Sequence, residues 1–316
     1  MDEPVAEVAR AGRAEEIVQS DMSTAGGSIE LLIAARSHEL GILQVGRVLP
    51  AAARRMVGPF IFLDHIGPLT LPAPVPRTAD VRPHPHIGLA TVTYLFEGEI
   101  THRDSLGIGQ VIRPGEVNWM TAGRGISHSE RFDGLRATGG PLHGLQAWVA
   151  LPLEHEEVEP AFEHHGRTEL QAREEDGVQI RLIAGAAFGL TSPVQTLSPL
   201  FYAHLELQAG ATIALPADAS ERAVYAVTGT ITIDGVPVEN RSLAVLRTGA
   251  VPTLMAREAC KVMLLGGEPV GHRYAWWNFV SSRRERIEQA KQDWSAGRIP
   301  LPAADATEWI PLPVGA

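Results

Sequence analysis

Residues 83–130 read PHPHIGLATVTYLFEGEITHRDSLGIGQVIRPGEVNWMTAGRGISHSE, opening on His84-Pro85-His86 and closing on His128-Ser129-Glu130. Successive side chains of a β-strand alternate faces, so residues at i and i+2 point the same way. His84 and His86 therefore share one face of their strand, and His128 and Glu130 share one face of theirs. If the two strands face each other in a barrel, three imidazoles and a carboxylate converge on one point. Such donors suit a divalent transition metal, and four protein ligands on an octahedral ion leave two positions open, the mark of a reactive centre. A single His-x-His is weak evidence, because ordinary surface and core histidines are common. Two such pairs joined by this run of strands carry more.

Between them, Thr91–Phe96 is a β-branched and aromatic strand. Gly107–Ile112 is another, Arg113-Pro114-Gly115-Glu116 a tight turn, and Val117–Met120 a third strand. Short strands with Gly/Pro turns at roughly eight to twelve residues indicate an antiparallel barrel or sandwich. The proline-rich segment Leu71–Pro85 stiffens the approach to the first histidine pair. His102 has polar neighbours and is read as a surface residue. Upstream, Ile42–Pro50 and Phe60–Leu63 read as strands, the second ending at Asp64-His65 before an Ile66-Gly67-Pro68 turn. His65 is either a fifth ligand or, as the favoured reading, a partner for backbone groups near the site. Downstream, Leu145–Leu151 is a strand, Glu154–Glu163 an acidic solvated stretch, and His164-His165 a pair in a loop.

The second half repeats the first. Tyr94–Ile100 matches Tyr225–Ile231 at an offset of 225 − 94 = 131, and Val111–Val117 matches Val245–Val251 at 245 − 111 = 134. On these offsets His84 and His86 fall near Leu215 and Ala217, and His128 and Glu130 fall on Val262 and Leu264. The second unit is expected to be metal-free. Near the end, Ser281 or Ser282 is expected to cap a helix from Arg283 to Ala296 with Gly297 as its stop; Ile287, Ala290 and Trp294 form its apolar stripe.

Bulk composition bounds the rest. A chain of 316 residues exceeds the usual single-domain size, so two domains are expected. Its 45% hydrophobic fraction is ample for a large core. The net charge of −10 excludes a direct grip on nucleic-acid phosphates or anionic membranes. Cys260, the one cysteine, indicates a reducing compartment. No apolar run approaches the ~20 residues of a membrane span, and the charged start shows no hydrophobic signal region. The expectation is a soluble, cytoplasmic protein with a flexible N-terminal arm.

Phe62-Leu63-Asp64-His65, His84-Pro85-His86, Tyr94–Gly98, Trp119–Glu130 and Trp277-Asn278-Phe279-Val280 together resemble the pirin family of two-domain cupin proteins. The resemblance runs from about Ile29 to the C-terminus. It implies an all-β bicupin: two antiparallel β-barrels face to face, with a C-terminal helix. The implied divisions are an arm over 1–28, a metal-binding barrel over 29–150, a barrel without a metal site over 151–275, and a helix and tail over 276–316. It implies iron held by His84, His86, His128 and Glu130. Family members commonly carry Glu four residues after the second histidine; here Ala90 stands there, and a hydrogen bond behind the ligands is expected to be lost.

The resemblance leaves two functions open, with a third, non-catalytic binding of a sugar or small molecule, behind them. One is a quercetinase-type dioxygenase using O2 to open a flavonol or related phenolic, with Glu130 as the base for the substrate hydroxyl. The other is an iron-dependent regulator acting through a protein partner, a transcription factor or metabolic enzyme. The enzyme is favoured. Fe(II) is the expected metal, and the ligand set also accepts Mn, Co, Ni, Cu or Zn.

Overall fold

The computed structural model describes residues 27–40 and 43–313. The expected N-terminal arm, up to residue 26, and Ile42 lie outside the described residues. Two large antiparallel sheets pack on each other, and each carries a four-stranded sheet on its outer side. The first large sheet runs in the order Ala161–His165, Val117–Thr121, Leu89–Glu97, Gly140–Ala150, Phe60–Leu71, Leu43–Leu49, Arg36–Leu40. Its four-stranded partner runs Val81–His86, Ile126–Arg131, Ile100–Asp104, Gly109–Ile112. The second half repeats the small sheet as Thr212–Ala214, Thr253–Ala256, Ile231–Ile233, Val236–Val238. The fold is all-β, two cupin barrels and a terminal helix.

Strand alternation builds two different interiors from one pattern. Along Leu89–Glu97, Ala90, Val92 and Tyr94 enter the apolar core between the barrels, while Leu89, Thr91, Thr93 and Leu95 face into the first barrel. Along Glu221–Thr228, Ala223, Tyr225 and Val227 enter the same shared core, and Val224 and Ala226 face into the second barrel. The second barrel is filled by one apolar cluster including Val224, Ala226, Leu254 and Val262. The first barrel's apolar filling falls into two clusters, and its polar side chains lie on the same inward face. Ala90 thus points at the other barrel, and its lack of a carboxylate leaves no gap behind the histidines.

The repeat holds at Tyr94/Tyr225 and slips afterwards. Ile100 pairs Ile112 as Ile231 pairs Val238, and Tyr94 pairs Val117 as Tyr225 pairs Leu243. The counterpart of Val117 is therefore Leu243, not Val251. The Arg-x-Gly turn at Arg247 is one turn later than that at Arg113, and turn chemistry recurs too freely to fix a register. Thr101 pairs Arg131 and His102 pairs Glu130, as Thr232 pairs Met255 and Ile233 pairs Leu254. His128 and Glu130 correspond to Pro252 and Leu254 rather than to Val262 and Leu264, and Leu215, opposite Pro252, takes the place of His84.

Four further expectations change. Phe60–Leu71 continues as one strand past Ile66-Gly67-Pro68, where the turn signal becomes a bulge: Gly67 takes φ +72° and the register against Gly140–Ala150 slips between Leu142 and Gly144. His164 and His165 lie in the strand Ala161–His165, which completes an edge of the first large sheet. Glu156 is buried: its carboxylate pairs with Arg273 Nε at 2.8 Å and accepts from Ser282 N at 2.8 Å and from both serine hydroxyls, Ser281 at 3.1 Å and Ser282 at 2.9 Å. The helix Arg284–Ser295 therefore begins after Arg283 with no side-chain cap from either serine. Its stripe of Ile287, Ala290 and Trp294 packs on Ile87, Phe279 and Ile299.

The pairing also crosses the expected divisions at 29 and 150. Ile29–Ala34 pairs with Ser242–Leu246 in the second large sheet, while Ala161–His165 pairs in the first. Cys260 is buried as a free thiol. Among the described residues no helix is long and apolar enough to cross a membrane.

Candidate metal centre

Val81–His86 and Ile126–Arg131 lie side by side, with His128 opposite His84 and Ile126 opposite His86. Between His128 and Glu130 the register slips, because Glu130 pairs with Val81. The extra residue lies on the strand that carries Pro83, which has no N–H for the ladder. Beyond His86 the chain turns at Gly88 (φ +67°), where a Cβ would strike the Val280 carbonyl. Val280 N donates to the Ile87 carbonyl at 3.2 Å. This contact explains why Trp277-Asn278-Phe279-Val280 belongs with the distant histidine motif. The tail also straps the strand, with Ile310 N donating to the Pro83 carbonyl at 2.8 Å.

His84, His86 and His128 offer ring nitrogens all within 4.8 Å of one another, and all three residues are buried. His84 Nδ1 takes up the Arg82 carbonyl at 2.9 Å, leaving Nε2 for the centre. Both nitrogens of His86 and Nε2 of His128 have no hydrogen-bond partner among the described residues. A buried polar atom left without a partner costs about 1–3 kcal/mol, which a bound cation removes. Burial also pushes the imidazoles down, His84 to about 4 and His86 and His128 well below the usual histidine range. They are neutral near pH 7, the form that binds metal. The site fits a metal ion.

Glu130 stands apart from this trio. The Thr93 hydroxyl shares its one proton between Glu130 Oε1 at 3.4 Å and Gln146 Oε1 at 2.9 Å. Burial pushes the Glu130 carboxyl up to about 7, the Thr93 hydroxyl opposing.

His102 is not on the surface. It is 4% exposed and stacks on Phe162 at 4.5 Å. Its Nδ1 lies 3.3 Å from His128 Nδ1 and its Nε2 lies 3.0 Å from Asp104 Oδ2. Asp104 Oδ1 accepts from Leu106 N at 2.9 Å and Ile108 N at 3.1 Å. A carboxylate at one end fixes the chain of protons: His102 donates through Nε2, accepts through Nδ1, and so holds the proton of His128 on Nδ1. The free lone pair of His128 then lies on Nε2, facing the other histidines. The available signal was His102-x-Asp104, a same-face pair on a strand.

His65 lies elsewhere. It bridges the barrels, with Nδ1 2.7 Å from the Tyr225 hydroxyl and Nε2 2.8 Å from His143 Nε2. His164 Nδ1 is 2.8 Å from Asn118 Oδ1, and His165 Nε2 is 3.2 Å from Glu163. One wall of the metal centre is aromatic: Trp148 stacks on Phe62 at 4.1 Å and meets His86 edge-on at 5.2 Å.

Two cupin barrels, with a buried three-histidine group able to hold a metal in the first, define a bicupin metalloprotein. The chain belongs to the pirin family: residues 42–149 match the Pirin family and 202–300 the Pirin C-terminal cupin domain. It is 58% identical over 286 residues to a pirin-like protein of Caulobacter vibrioides, covering 90% of this chain and 99% of that one. A protein of Pseudomonas aeruginosa provisionally named quercetin 2,3-dioxygenase is 40% identical, with 87% of each chain covered. The crystal structure of a quercetin 2,3-dioxygenase from Acinetobacter baumannii superposes with a TM-score of 0.83 at 35% identity, covering 90% of this chain and 94% of that one.

Proposed function

We propose that the chain is an iron(II)-dependent dioxygenase that uses O2 to open the ring of a flavonol or related phenolic, with the metal held by His84, His86, His128 and Glu130. The observation that carries this reading is the group of partnerless, buried imidazole nitrogens beside the Trp148–Phe62 stack. The names of the Pseudomonas and Acinetobacter relatives support it. When bound, the metal supplies Lewis acidity at the substrate's hydroxyl oxygen and the electron chemistry that O2 requires.

The protein's own groups do the rest. Trp148, backed by Phe62, offers a flat apolar face for a planar ring, and the clusters on either side keep water out. Glu130, on the strand of His128 and near Thr93, is the group that takes the substrate's hydroxyl proton. The three imidazoles, each with one nitrogen committed to the metal, have no site for that proton.

Elemental analysis of anaerobically purified protein, followed by O2 uptake and loss of flavonol absorbance, tests the reading. One metal per chain with matching O2 uptake is expected, and His84→Ala should lose both. A fully loaded protein that turns over no phenolic overturns the enzyme reading in favour of a regulator.

A further inference from the structure

A polar cleft lies where the two barrels meet, away from the histidine trio. It encloses ≈ 50 Å³ and is lined by Tyr94 from the first barrel and by Arg167, Arg181, His204, Glu206 and Lys261 from beyond it. One water needs about 10–15 Å³ of such space, so the cleft has room for a few waters or one small oxyanion. Three cations face one carboxylate there, an excess of positive charge in a chain whose net charge is −10.

His204 is the telling group. It is 6% exposed, and its Nδ1 lies 3.0 Å from the Tyr94 hydroxyl. Its Nε2 is buried without a hydrogen-bond partner among the described residues. Glu206 Oε1 lies 3.8 Å from that nitrogen, beyond hydrogen-bond reach. With Arg181 beside the phenol oxygen, the Tyr94 hydroxyl donates its hydrogen bond to Nδ1, and the ring's own proton then lies on Nε2, a donor that wants an acceptor. Burial, with Lys261, Arg181 and Arg167 behind it, keeps the ring neutral by pushing it down to about 3.

The cations are preset. Arg181 Nη1 is anchored on the carbonyls of Arg167 at 2.6 Å and Leu170 at 3.4 Å. The Arg167 side chain lies across Gly115 of the first barrel, where a Cβ would come within 3.1 Å of it. Lys261 Nζ is 3.5 Å from Glu206 Oε2, a partner it can share with a ligand. A ligand rich in acceptor oxygens, with more than one negative charge and the size of a few waters, meets the three cations and the His204 donor, while Glu206 stays paired with Lys261.

We propose that this cleft binds a small, multiply charged oxyanion of the phosphate type, bridging the two barrels. Calorimetric titration of the full chain with inorganic phosphate tests it, with the 15N resonance of His204 Nε2 followed in parallel. One phosphate per chain and a shift of that resonance are expected. Lys261→Gln and Arg167→Gln should each weaken binding about tenfold, as the loss of a charge-assisted contact does. Acetate, with a single charge, should bind more weakly.

Three results would overturn the proposal. The first is no heat and no resonance shift at about 10 mM phosphate, where a site with a Kd near 1 mM is roughly nine-tenths full. The second is unchanged affinity in both variants. The third is loss of binding in His84→Ala, which would put the anion on the metal centre.

Discussion

Asp104 sits two hydrogen bonds from the metal centre, and its two oxygens have separate duties. Oδ1 serves the N–H groups of Leu106 and Ile108, and Oδ2 serves His102 Nε2. Asparagine has the same shape but one acceptor. If its oxygen stays with the two backbone donors, its amide N–H groups confront His102 Nε2–H. The imidazole must then move its proton to Nδ1, which faces the proton on His128 Nδ1. If the amide flips instead, its N–H groups confront Leu106 and Ile108. The flip keeps the proton chain but sets the amide against two backbone donors rather than one, so the first arrangement prevails, and in it His128 is no longer held with its lone pair on Nε2. Replacing such outer partners typically costs 10–100-fold in metal affinity, about 1.4–2.7 kcal/mol. Anaerobic competition against a chromophoric chelator should show that loss in Asp104→Asn. Melts of the metal-free proteins separate it from any cost in folding. In a His102→Phe background, which keeps the stack on Phe162 and breaks the chain, Asp104→Asn should change affinity by less than about twofold. Wild-type affinity in the single variant, or an undiminished loss in the double variant, refutes the proton chain.

Three further outcomes are expected. In Glu130→Gln, flavonol turnover per bound metal should fall about 10²–10⁴-fold, the usual worth of a general base; equal normalised rates would confine Glu130 to holding the metal. His65 and His204 are each pushed down to about 3 by burial, so below the unfolded value near 6.5 the unfolded chain binds the extra protons. Stability should be full above pH ~6.5 and fall as the pH drops toward ~3, by about 1.4 kcal/mol per pH unit for each histidine; urea unfolding at about pH 6 and 5 checks this, and a flat profile contradicts it. Glu156→Gln strands Arg273 in a buried site, so about 3 kcal/mol should be lost in urea unfolding; a change under about 1 kcal/mol would mean that the pair contributes little.

Strand parity made the trio legible, because His84 and His86 share one strand face and His128 shares another with Glu130. What parity cannot give is the neighbour across the sheet. His128 lies opposite Asp104 and Glu130 opposite His102, a register between strands separated by two others, Gly109–Ile112 and Val117–Thr121, and not one set by any local pattern. His102 looked exposed because Arg103 beside it is charged, yet Arg103 reaches Asp133 at the rim while the rest of the strand is covered. Glu156 misled in the same way: a run of carboxylates usually marks a solvated face, and one of them turned inward to a cation more than a hundred residues away. The cleft around His204 was invisible because its walls come from segments that meet only when the barrels pack.

The exchanged edge strands set an order of events during synthesis. Ile29–Ala34 leaves the ribosome early, but its partner Ser242–Leu246 emerges 208 residues later, counted from Ala34 to Ser242. At roughly 5–20 residues per second, that strand waits about 10–40 s with its ladder groups unpaired. The nascent chain thus carries an open sheet edge throughout the making of its first barrel, a window for mispairing with a neighbour on the same message.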